Sequence, residues 1–150
     1  MTEQINPYGR ESWGPGPWDD EPDKEVWSDP DTGLSCAVVR NPMGVWCGYV
    51  GVPPGHIDHG AGYDDVPDVD VHFGLTFAGT LEKLNKTDWF LGFDCAHMDD
   101  LVPSIVAIMK EARKRSPAVP PLSILPEPTY KTIGFAKNEC TKLAAQLIRR

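Results

Sequence analysis

No stretch of this chain approaches the roughly 18 consecutive apolar residues that a membrane-spanning helix needs, so no membrane partner is expected. Its start, MTEQINPYGRE, carries neither a basic segment nor an apolar run, so it does not read as a secretory signal and a cytosolic protein is expected. In a reducing cytosol the four cysteines remain thiols. HExxH, paired CxxC, a phosphate loop and internal repeats are all missing, which removes the familiar metal-centre, phosphate-cradle and solenoid readings. Basic residues are scarce before position 110. Residues 1–31 and 32–109 each carry a net charge of −7, and only 110–150 is positive, at +6. A direct clamp on a nucleic-acid backbone is therefore not expected. The basic C-terminal third reads more simply as a solvated helix face balancing an acidic body.

What is present suits one small domain. A chain of 150 residues can bury a sizeable core, and no composition break divides it beyond an acidic N-terminal arm, 1–31, preceding a domain over 32–150. The arm is charged enough to read as disordered, yet it holds Trp13, Trp18 and Trp27. Tryptophans are poor company for disorder, so the arm is expected to lie along the domain or a second subunit, and a homodimer is compatible with it. The proline-rich connection 116–128 is expected to run as extended, stiff chain.

Hydrophobic periodicity predicts an α+β fold, with an antiparallel sheet of about four strands in two hairpins, covered by one or two helices. Residues 34–39 and 45–52 are β-rich runs separated by RNPMG, a turn-forming sequence. Pairing across that turn sets Cys36 opposite Cys47 and Val39 opposite Gly44, which makes a Cys36–Cys47 bridge geometrically feasible but not expected in a reducing compartment. The second hairpin joins 68–79 to 88–97. At the C-terminus, Ile133, Ala136, Cys140, Leu143, Ala144 and Leu147 recur at helical spacing, and a weaker helical pattern covers 103–115.

The second hairpin carries the candidate site. In DVDVHFGLTFAG, Val69, Val71, Phe73, Leu75 and Phe77 point one way, and Asp70, His72, Gly74 and Thr76 the other. In DWFLGFDCAH the apolar side is Trp89, Leu91, Phe93 and Cys95, with Gly92 and Asp94 opposite. If TLEKLNKT closes the hairpin, His72 pairs with Asp94 and Gly74 with Gly92, gathering titratable groups beside two positions without side chains. Two structural alternatives stand beside this. Asp94 can cap the amides of a turn, and a strand-end DxH can be a buried pair that fixes register. His56 in PPGHIDHG reads equally as an exposed loop histidine, and Tyr63 in the adjoining acidic loop as a stacking residue for a base or sugar.

The segments EPDK, TGLSCAVVRN, CGYVGVPPGH, DVHFGLTFAG and FLGFDCAHMDD together resemble a family of small uncharacterised bacterial and bacteriophage proteins with the patterns CGYVGVP-GH, DVHGGLT-AG and GFDCAH-GD. The resemblance covers about residues 21–100, and weakly the last helix. It implies a phage-type accessory protein, acting in the cytoplasm of the bacterial host, but no particular reaction. His56, Asp70, His72, Gly74, Thr76, Asp94, His97 and Asp99 fall on its motifs. Phe73 replaces a glycine of the pattern, Met98 stands where a glycine is usual, and His59 lies outside it.

These residues allow two chemistries. Asp70, His72, Asp94 and His97 offer ligands for a divalent metal, a cofactor the spacing alone neither requires nor excludes. Without a metal, His72 acts as acid or base with Asp94 orienting it, and His97 is a second proton carrier. His56, Tyr63, Asp70, Gly74, Thr76, Gly92 and Asp99 then form the ligand-binding surround. The first function class is a small hydrolase acting on a phosphate-bearing or nucleotide-like ligand, in a counter-defence role suggested by analogy to phage proteins. The alternatives are a non-catalytic binder that sequesters a nucleotide signal, and an acidic protein-interaction inhibitor of a host defence protein.

Overall fold

A computed structural model describes residues 10–116 and 129–150. The fold is α+β. Five antiparallel strands form one open sheet, β1 (Lys24–Ser28), β2 (Ser35–Arg40), β3 (Trp46–Val52), β4 (Phe77–Leu81) and β5 (Asn85–Asp94), in the order β1-β2-β3-β5-β4. Two helices follow, α1 (Pro103–Arg115) and α2 (Ile133–Leu147). Neither is long and apolar enough to cross a membrane. The expected extended connection 116–128 lies, apart from Ser116, outside the described residues, as do the first nine residues.

α2 lies across β2 and β3. Ala136, Cys140, Leu143, Ala144 and Leu147 are fully buried against Val38, Val50, Leu91 and Phe93 of the sheet. Burying a leucine here contributes about 2 kcal/mol. The small residues between the leucines let the helix sit close, with Cys140 Sγ 3.7 Å from the Ala37 carbonyl. Thr132 starts the helix by accepting a bond from the Phe135 amide at 3.1 Å, a cap that stabilises by about 1 kcal/mol. The second face of the sheet is covered differently. An open pocket of about 350 Å³ is walled by Lys24, Val39 and Tyr49 on the sheet and by Thr80–Leu84, so the β4–β5 hairpin tip folds back over that face.

The arm belongs to the sheet. Lys24–Ser28 is its edge strand, paired along its length with β2, which makes five strands instead of about four. Trp13 and Trp18 are buried, packed edge-on to each other, and Trp18 meets Tyr130 in the same way. Glu21 fastens this layer. Its carboxylate accepts bonds from Arg40, the Trp46 indole, Tyr130 and the Ile133 amide, the first N–H of α2. Burial alone would raise the Glu21 carboxyl, but these donors outweigh it and hold it below the usual range.

The first hairpin register differs from the expected one by three residues, and the second keeps the expected register beside its turn, Leu81 with Asn85, but is shifted by three farther along the strands. At the first turn Arg40 pairs with Trp46, Val39 with Cys47 and Cys36 with Val50. The Asn41 side chain accepts bonds from the Met43 and Val45 amides, which widens the turn to include Val45. Cys36 and Cys47 are therefore not opposite each other, and all four cysteines are free. At the second turn Phe77 pairs with Gly92, with an irregularity between Gly79 and Leu81.

Candidate functional site

Residues 68–76 do not form the expected strand. Asp68, Phe73 and Gly74 have positive φ values of 61°, 56° and 85°, which an extended strand cannot accommodate. The backbone instead bonds to side chains of α2. The His72 amide donates to Glu139 Oε1 at 2.7 Å, the Asp70 amide to Gln146 Oε1 at 2.7 Å, and Gln146 Nε2 to the Asp70 carbonyl at 2.8 Å. Val71 remains buried, with Val69 and Leu75 packed beside it, so apolar burial survives while the periodicity does not.

This loop moves His72 away from Asp94 and onto Asp100. His72 Nε2 lies 2.8 and 2.9 Å from the two Asp100 oxygens. Asp100 is enclosed. It also accepts from the His97 amide at 3.0 Å and pairs with Lys131 at 3.0 Å. Burial by itself would raise the Asp100 carboxyl; the His97 amide, His72 and Lys131 outweigh it and keep it below the ordinary range. An ionised carboxylate only accepts, so the proton on His72 sits on Nε2 and the lone pair on Nδ1. No hydrogen bond among the described residues occupies that Nδ1.

His97 forms the second half. Its Nε2 is 3.1 Å from Asp94 Oδ1, an ion-pair contact that falls outside hydrogen-bond alignment. Asp94 also accepts from the Thr76 hydroxyl at 3.0 Å and, through Oδ1, from the Ala96 amide at 3.1 Å, so it caps the turn after β5 as well as facing His97. The two imidazoles stand 5.9 Å apart, nearly perpendicular. Phe73 lies flat on His97 at 4.6 Å and edge-on to His72 at 4.9 Å, and Phe135 meets His72 at 5.0 Å. Beside them is an open pocket of about 420 Å³ lined by Asp70, Val71, His72, Phe73, Phe135, Glu139 and Lys142.

The other candidates fall unevenly. Asp70 lines the pocket, strongly exposed, and pairs loosely with Lys142 at 3.9 Å. Gly74 serves its positive φ and faces open space. Gly92 is not room for a ligand, because a Cβ there would collide with the Tyr49 ring and the Gly48 carbonyl. His56 is committed on both nitrogens, Nδ1 accepting from the Asp58 amide and Nε2 meeting the Leu147 carbonyl at 2.7 Å, so it fastens the loop to the end of α2. Tyr63 is exposed on the short turn Tyr63–Asp65 and does not line the pocket. Asp99 is exposed, its carbonyl accepting from Thr129. Among the described residues, no group of three or more His, Cys, Asp or Glu is placed to hold a metal ion, so Asp70, His72, Asp94 and His97 are not gathered as a ligand set. Asp100, Lys131, Phe135 and Glu139 belong to the site and were not among the sequence candidates. Asp100 carries a legible signal, since it closes the CAHMDD segment three residues beyond the strand expected over 88–97.

Comparisons with protein-family models, with curated proteins and with solved structures find no significant match.

Proposed function

We propose that the chain is a small hydrolase in which His72 and His97 act as a proton-transfer pair. The supporting observation is the placement of two imidazoles 5.9 Å apart, each against its own carboxylate, with His72 lining an open pocket and His97 stacked behind Phe73 in its wall. Asp100 orients His72, the role expected of Asp94 from the sequence. His72 Nδ1 takes a proton from water as its oxygen bonds to the ester phosphorus or carbonyl carbon. His97, as the second proton carrier, delivers a proton to the departing oxygen as its bond to that centre breaks. A phosphate-bearing or nucleotide-derived substrate, and a counter-defence setting, rest on analogy to phage counter-defence proteins, since the motif resemblance implies no reaction. The pocket itself offers one ammonium, Lys142, beside the carboxylates of Asp70 and Glu139.

A panel of cyclic and linear nucleotides incubated with the purified protein, with mass analysis of the products, tests the reading. Wild type is expected to turn over at least one of them, and His72→Ala and His97→Ala each to abolish turnover without lowering the urea midpoint below the assay range. Turnover surviving both substitutions would refute the proton-transfer pair.

A second reading, sequestration of an intact ligand, draws support from the bracing roles of the same residues. The His97 amide and the His72 imidazole both fasten their loops to Asp100. Recovery of an unaltered nucleotide from the native protein would favour it.

A further inference from the structure

Phe73 adopts a backbone conformation that packing does not explain. Its φ of 56° lies in the left-handed region, where a bulky side chain is strained. The residue is 55% exposed, so burial offsets only part of that strain. The loop also has a glycine at hand, Gly74, which serves its own positive φ without strain. Non-glycine residues held this way concentrate at ligand sites. The Phe73 ring is ordered nonetheless, flat against His97 at 4.6 Å and 12°, with its remaining surface forming a pocket wall.

The rest of the lining is also partly aromatic. Phe135 and His72 contribute ring surface, and Glu139 and Asp70 add carboxylate acceptors. Glu139 is held in place by the His72 amide and by Lys142 at 3.3 Å. Rings favour a flat partner, and carboxylates favour a partner that donates hydrogen bonds from amino, ring N–H or hydroxyl groups. One lysine against two carboxylates does not favour a bare anion.

We infer that this pocket binds a planar heteroaromatic ring bearing hydrogen-bond donors, of the kind a purine nucleoside presents, stacked on Phe73. The inference rests on the reading of this pocket as the ligand site, but requires no turnover.

Titration calorimetry on the full chain, with adenosine, guanosine, ribose 5-phosphate and orthophosphate as probes, tests it. At least one nucleoside is expected to bind, and the two ring-free probes to bind at least tenfold more weakly. Base–aromatic stacking is worth about 1–3 kcal/mol, so Phe73→Gly is expected to weaken nucleoside binding about tenfold or more. The same change relieves left-handed strain, so its urea midpoint is expected to hold or rise. Phe73→Leu keeps apolar bulk without the aromatic face and is expected to weaken binding as well. Three results would overturn the inference: no nucleoside binding at millimolar concentration, orthophosphate binding as tightly as a nucleoside, or unchanged affinity in both variants. The two proposals fail separately. Nucleoside binding without turnover leaves the stacking site intact and removes the hydrolase, whereas turnover of a ring-free ester without nucleoside affinity does the reverse.

Discussion

Replacing Asp100 with asparagine tests the arrangement that holds the site together. The side chain is fully enclosed and accepts from His72, the His97 amide and Lys131 at 2.8–3.0 Å. Asparagine preserves the shape but turns one acceptor into an NH2 group facing donors, and it leaves Lys131 without its counter-charge. Removing one member of a buried ion pair costs about 3–5 kcal/mol. Lys131 keeps some water contact and the amide oxygen still accepts, so the lower end applies, about 3 kcal/mol. With a urea slope of about 2 kcal/mol/M, the unfolding midpoint falls by about 1.5 M at neutral pH. The pH dependence supplies the internal control. The folded-state pKa of Asp100 is depressed, so its contribution is present above the unfolded carboxyl value, about 4, and is lost as pH falls through the folded value. The gap between wild type and Asp100→Asn is therefore widest at neutral pH and closes on acidification. Nitrogen-15 NMR of His72 would register the same change, with the fixed Nε2–H tautomer of wild type giving way to a mixture. A neutral-pH gap below about 1 kcal/mol, the scale of an exposed pair, or a gap constant from neutral to strongly acidic pH, would refute the assignment of Asp100 as the ionised anchor of His72.

The remaining predictions concern the core, the arm and the thiols. Leu143→Ala is expected to cost about 3 kcal/mol in urea unfolding, because Leu143 is fully buried between α2 and the sheet and the cavity cannot collapse against strands on one side. Glu21→Gln is expected to cost about 2 kcal/mol by weakening the bonds from Arg40 and Tyr130, and to red-shift tryptophan emission as Trp13 and Trp18 gain water. An unshifted spectrum would separate the arm's anchoring from Glu21. Burial pushes the Cys36 thiol up to about 12 and the Cys47 thiol up to about 11, and raises Cys95 and Cys140 as well. An aromatic disulfide reagent at mildly alkaline pH should therefore label none of the four within minutes in the folded protein and all four in urea.

The parts of the fold legible in the sequence are those whose periodicity is enforced by burial on one side. The α2 stripe from Ala136 to Leu147 is one such case, as are the alternating inward residues Trp89, Leu91 and Phe93 of β5, with Cys95 just beyond it. β1 was hidden because KEVWS carries two charged residues and lies at an edge, exposed at alternate positions, so little apolar burial marks it. Register was hidden for another reason. It depends on which residues join the turn, and at the first hairpin the Asn41 side chain settles that through two amides that no hydrophobic pattern records.

The site shows the same division more sharply. His72, Asp94 and His97 were identifiable as chemistry-bearing residues, but the carboxylate for His72 was misassigned, and backbone conformation explains why. The alternation from Val69 to Phe77 looks like a strand only if every residue can be extended. Phe73 and Gly74 are not extended, and Phe73 stands where the resembling family pattern reads glycine, the residue that tolerates a left-handed φ. Taken as a demand for a positive φ, that glycine ends the strand before residue 73. The hairpin pairing of His72 with Asp94 is then lost, and in the structure His72 lies against Asp100. The phenylalanine concealed the turn while adding an aromatic surface to it. The position where the alternation breaks is thus also one where a non-glycine backbone is strained, the side chain is exposed and a pocket is lined, the combination on which the proposed stacking site rests.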